Sequence, residues 1–65
     1  MLLTNRETTV VQLIAEGQSN KRLANTLGIG LETVETHRAS VMRKLDIDTA
    51  AQLVRYAVRN GVAMA

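Results

Sequence analysis

An all-α domain of four short helices, the second and third forming a helix-turn-helix, is the fold class predicted by this chain of 65 residues. Three observations carry that expectation. Apolar residues recur three or four positions apart, the helical period, over nearly the whole length. Proline is absent and glycine occurs only four times, so little in the composition opposes helix. Ser and Thr residues placed as helix starts alternate with glycines placed as helix stops.

The first helix is expected over about residues 5–16. Thr4 and Glu7 have the spacing of a capping box, in which hydroxyl and carboxylate satisfy free backbone N–H groups reciprocally. Val10, Val11, Leu13 and Ile14 form its apolar stripe, Leu3 covers the start, and Gly17 supplies a left-handed stop. Ser19 N-caps a second helix over 20–27, with Leu23, Ala24 and Leu27 inward and Gly28 at its end. The third helix spans 31–45. At about 100° per residue, Val34, Val41 and Leu45 share one narrow stripe, with Met42 on its flank. Glu32, Thr36, Ala39 and Arg43 face the opposite way. The fourth helix, over 49–60, opens on a second capping-box pair, Thr49 and Gln52. It carries Ala50, Leu53, Val54, Ala57 and Val58 inward and ends at Asn60-Gly61. Val62 to Ala65 are expected to be a frayed or cut terminus. Connections of a few residues place all four helices in one core, a single domain over 1–65.

Composition excludes several function classes. Hydrophobic residues make up 46% and charged residues 22%, too apolar a balance for disorder. Cysteine is absent, so no disulfide framework or thiolate metal site exists, and a reducing compartment, the cytoplasm, is expected. A lone histidine rules out a multi-histidine metal site. Tyr56 is the sole aromatic residue, which argues against a stacking platform for single-stranded nucleic acid. No apolar run approaches the ~20 residues of a membrane span. Met1-Leu2-Leu3 leads into Thr4-Asn5-Arg6, which is no signal peptide. The cations are spread around the helices instead of lying on one face, so a membrane-surface helix is not expected. No phosphate-cradling glycine loop, metal cluster or acid/base constellation is present, so neither enzyme activity nor a cofactor is expected.

Residues 20–39 carry the most information. Two helices crossing steeply through a tight turn need a small side chain where their backbones meet, and Ala24 provides it. The turn needs a residue that tolerates a left-handed backbone, and Gly28 does. Large apolar residues fall at Leu23, Leu27, Ile29 and Val34, and Ile29 and Val34 plug the angle between the helices. Such a helix-turn-helix holds its second helix out for the major groove of DNA.

The sequence also resembles the C-terminal DNA-binding domain of the LuxR/FixJ (NarL/GerE) transcriptional regulators. The resemblance rests on Leu3-Thr4-x-Arg6-Glu7, Leu13-Ile14-Ala15-x-Gly17, Ser19-Asn20-Lys21, Leu27-x-Ile29, Thr33-Val34-x-x-His37 and Lys44-Leu45, and it runs from about Leu3 to Val62. Val34-Glu35-x-His37-Arg38-Ala39-x-Val41-Met42 and Leu53-Val54-Arg55 look most like the FixJ-like response regulators. The resemblance implies a four-helix domain whose third helix enters the major groove and whose fourth often makes a dimer contact on DNA. It further implies an N-terminal receiver or sensor domain, so the chain is expected to be an excised output domain or a single-domain regulator. Two positions depart from the family pattern. Glu35 stands where Lys is frequent, and Gly30 stands where Ser usually caps the third helix.

Phosphate contacts position such a domain, and base contacts specify its site. Asn20 and Lys21 open the second helix, where free N–H groups favour a phosphate. Thr33, Arg38, Arg43 and Lys44 are further phosphate candidates, and the resemblance adds His37, which otherwise reads as a packing histidine. Glu35, Thr36 and Ala39 are candidates for base edges: Glu35 can accept from a cytosine amine, and Thr36 can offer a methyl or a hydroxyl. Gln52, Arg55, Tyr56 and Arg59 form an outward face on the fourth helix for a weak homodimer contact. The expected function is sequence-specific binding of double-stranded DNA. The alternative is a helical protein–protein interaction module without DNA binding, which the acids Glu32 and Glu35 favour.

Overall fold

A computed structural model describes residues 3–62. It contains α1 (Asn5–Ala15), α2 (Asn20–Leu27), α3 (Leu31–Leu45) and α4 (Ala50–Arg59). The expected first and fourth helices shorten by one residue at the ends where Glu16, Thr49 and Asn60 act as caps.

The starts follow the capping logic. Thr4 Oγ1 accepts the Glu7 N–H at 3.1 Å, and Glu7 Oε1 accepts the Thr4 N–H at 2.9 Å. Thr49 and Gln52 repeat the arrangement on α4, each backbone–side-chain bond measuring 3.2 Å. Ser19 Oγ accepts the Arg22 N–H on α2. Gly30 caps α3 with no side-chain bond at all.

All four helices end in the same motif. A left-handed residue is followed by an amide that reaches back five positions: Gln18 to Leu13, Ile29 to Ala24, Ile47 to Met42 and Val62 to Ala57. The left-handed residue is Gly17, Gly28 or Gly61 in three of them, and Asp46 (φ 56°) in the fourth. Asp tolerates this region better than most residues because its short polar side chain can bond locally. Ile29, Ile47 and Val62 then pack against the core. Val62 is therefore held in place, contrary to the frayed end expected from Val62 onward; Ala63 to Ala65 lie outside the described residues, as do Met1 and Leu2.

The core comprises Leu3, Val10, Val11, Ile14, Leu23, Val34, Val41, Leu53 and Ala57. α1 packs against α3 and α4, and α2 packs against α3. On α4 only Leu53 and Ala57 are buried, and Val54 is half-buried. Ala50 and Val58, expected inward, are exposed. Ala50 is the first residue of α4 and overhangs the packing, while Val58 lies about 100° around the axis from Ala57. Tyr56, expected outward, is half-buried against the core. It stands about 60° from Leu53, nearer the buried stripe than the solvent pole.

Candidate nucleic-acid interface

α3 is the longest helix, and one side of it is left open. Val34 and Val41 face the core with no exposure. Glu32, Glu35, Thr36, Ala39 and Arg43 lie toward the opposite side, as the helical period requires, and all five are exposed. The Thr36 hydroxyl donates to the Glu32 carbonyl at 3.0 Å, which leaves its methyl and an oxygen lone pair facing outward.

Two polar clamps fix the rotation of α3. On the α2 side, Arg38 Nη1 donates to Asn20 Oδ1 at 2.9 Å. Because guanidinium has only donors, it selects the amide oxygen, and the Asn20 amide nitrogen is left as a free donor beside the exposed Lys21. On the α1 side, Glu7 is only 5% exposed. Its Oε2 accepts from Ser40 Oγ at 2.8 Å and its Oε1 from Lys44 Nζ at 2.8 Å. The Lys44 ammonium beside it, the Thr4 amide and the Ser40 hydroxyl together hold the Glu7 carboxyl down to about 2, against a smaller opposing effect of burial.

The expected phosphate candidates surround this open face. Lys21, Thr33, Arg43 and Lys44 are exposed, whereas Asn20, His37 and Arg38 are half-buried. Lys44 is committed to Glu7 through one of its three N–H groups, and its side chain stays 33% exposed, so the remaining donors still face solvent. The expected base-contact residues Glu35, Thr36 and Ala39 sit on the open face. Gln52, Arg55, Tyr56 and Arg59 come together on α4 and line one shallow groove with Ile47 and Asn60. Among the described residues, no three His, Cys, Asp or Glu side chains gather as a metal site would require. No helix among them is long and apolar enough to cross a membrane.

Sequence reasoning missed the second role of Glu7 and the role of Ser40. Glu7 is in register with Val10, Val11 and Ile14, so an acid at the head of an apolar stripe was the signal that could have found it. Leu31, half-exposed at 47% at the start of α3, was also missed.

Four helices, a left-handed turn at Gly28 and a presented α3 define a helix-turn-helix domain. The profile of the family described as "Bacterial regulatory proteins, luxR family" matches residues 1–57. The chain belongs to that family, whose helix-turn-helix domains serve DNA-binding transcription regulation. It is 50% identical over 60 residues, 92% of its length, to the "Uncharacterized response regulatory protein YgeK" of Escherichia coli, of which it covers 41%. It is equally identical over 60 residues to the "Transcriptional regulatory protein MctR" of Rhizobium johnstonii, covering 92% of this chain and 28% of that protein. To the "Transcriptional regulatory protein LiaR" of Bacillus subtilis it is 43% identical over 58 residues, 89% of this chain and 28% of that protein. The chain thus spans less than half the length of these curated relatives.

Proposed function

We propose that residues 1–65, with a helix-turn-helix at 20–39, form the sequence-specific DNA-binding output domain of a bacterial transcriptional response regulator acting in the cytoplasm. The observation that carries this reading is the open face of α3, held in register by Asn20–Arg38 on one side and Glu7–Ser40–Lys44 on the other. In this reading α3 lies in the major groove. Glu35, Thr36 and Ala39 meet base edges. Asn20, Lys21, Thr33, His37, Arg38, Arg43 and Lys44 meet phosphates, supported by the free N–H groups and dipole at the start of α2. A receiver or sensor domain belongs to the same regulator, as the response-regulator name and greater length of the first relative suggest.

The α4 groove of Gln52, Arg55, Tyr56 and Arg59 is the proposed weak dimer contact. Its half-buried tyrosine supplies an anchor with an apolar body and a polar tip. Two copies on paired half-sites then offset the weak binding of a single copy that carries acids on its reading face.

Selection of binding sites from a random duplex pool tests the proposal. An enriched motif whose binding weakens steeply with salt is expected. Absence of any enriched motif, together with no shift of nonspecific duplex at low salt, would instead favour a protein-interaction module, the reading suggested by exposed Glu32 and Glu35.

A further inference from the structure

Apart from Thr33 on its flank, the open half of α3 offers acceptors and methyl groups but no free side-chain donor, and we infer that it recognises a cytosine amine through Glu35 with thymine methyls beside it. This inference rests on the DNA-binding reading and specifies its base chemistry. The open face between Leu31 and Ala39 consists of exposed Leu31, Glu32, Thr33, Glu35, Thr36 and Ala39. Thr33 shares the flank of Ser40 and Lys44, which are bound to Glu7 on the α1 side, so it faces the DNA backbone. Thr36 would be the remaining donor, but its proton is held by the Glu32 carbonyl at 3.0 Å. Arg38 is drawn to Asn20 on the α2 side. Arg43 lies about 10 Å further along the axis than Thr36, at about 1.5 Å per residue, and so belongs to a different stretch of the groove.

The strip that remains is Leu31, Glu32, Glu35, the Thr36 methyl and Ala39. Major-groove chemistry then decides between bases. Guanine shows two acceptors, N7 and O6, and repels a carboxylate. Adenine shows an amine, but with the N7 lone pair next to it. Cytosine shows an amine with no acceptor beside it, so Glu35 selects cytosine. Thymine shows a methyl, which suits apolar contact with Ala39, the Thr36 methyl and half-exposed Leu31. Glu32 sits in the first turn of α3, where the positive end of the helix dipole tolerates a second carboxylate.

The test compares site selection by the wild-type chain and by Glu35→Gln, a substitution on an exposed side chain that circular dichroism can show to be folded. Wild type is expected to enrich cytosine at one position of the half-site and to exclude guanine there. Glu35→Gln is expected to move that position toward adenine, whose N6 and N7 match a carboxamide, by about tenfold in relative affinity. Replacing thymine by deoxyuridine beside it should weaken wild-type binding about threefold per contacted methyl. A motif that is enriched but unchanged by Glu35→Gln, or that places guanine opposite Glu35, overturns this inference and leaves the DNA-binding reading intact. Selection that enriches nothing overturns both.

Discussion

Glu7 in the first turn of α1 and Lys44 in the last turn of α3 form an ion pair of 2.8 Å across 37 positions of sequence. The same carboxylate caps its own helix through the Thr4 amide and accepts from Ser40. One nearly buried side chain therefore sets the start of α1 and the rotation of α3 together. Rotating α3 by a single residue, about 100°, would turn its open face away, so the clamp bears directly on which residues are presented.

Acid should weaken the fold through Glu7. Its carboxyl is lowered from an ordinary 4.5 to about 2, mainly by Lys44, then by the Thr4 amide and Ser40. A depressed carboxylate stabilises fully above its unfolded value, and the contribution disappears as pH falls through the folded value. Urea midpoints should therefore fall between about pH 5 and about pH 2. Glu7→Gln can keep the cap but loses the charge. It should unfold more easily at neutral pH and show a flatter acid limb than wild type. Equal acid limbs for the two proteins would contradict the role given to Glu7.

Backbone strain at the helix ends has a definite sign. Asp46 holds a left-handed φ of 56° where three other ends use glycine. Asp46→Gly should stabilise by about 0.5–1 kcal/mol in denaturant titrations. Gly28, at φ 67°, has nothing within 4 Å of the position a β-carbon would take, so Gly28→Ala carries only the conformational cost. It should destabilise by roughly 1 kcal/mol, since alanine disfavours positive φ.

Gly30 leaves α3 without a side-chain cap, and a β-carbon there meets nothing within 4 Å. Gly30→Ser should add a hydroxyl acceptor for a free N–H of the first turn. The expected gain is a few tenths of a kcal/mol, read as a rise of about 1–3 °C in melting temperature for a domain of this size.

On DNA, Arg43 and Thr36 should separate by mechanism. Arg43→Ala removes an exposed cation, so it should weaken binding to all sequences and reduce the salt slope by about one. Thr36→Ala should leave that slope unchanged and alter base preference. Fluorescence anisotropy across a salt series, on the selected site and on scrambled duplex, distinguishes the two.

Local chemistry was the legible part of this sequence. Thr4–Glu7, Ser19 and Thr49–Gln52 start helices, and Gly17, Gly28 and Gly61 end them, because each signal works within a few residues. Asp46 escaped because an aspartate in the left-handed region is uncommon, although Ile47 behind it supplies the same apolar closure as Ile29. Glu7 was legible as a cap and not as a clamp, since its partners Ser40 and Lys44 lie on another helix and only packing brings them near. Tyr56 was misplaced because its hydroxyl marks it as a surface residue, while its helical position, about 60° from Leu53, sets its ring against the core. The open strip of α3 was readable from its period; the donor lost from Thr36 to the Glu32 carbonyl was not.

The most direct test of the central claim, that α3 presents the DNA-reading face, is an amide chemical-shift titration of the 15N-labelled chain with a short selected duplex. The largest changes are expected at Glu32, Glu35, Thr36, Ala39 and Arg43 and at the start of α2 around Lys21, with the outer side of α1 unmoved. Changes centred on α1 or α4 while the exposed face of α3 stays silent would contradict it.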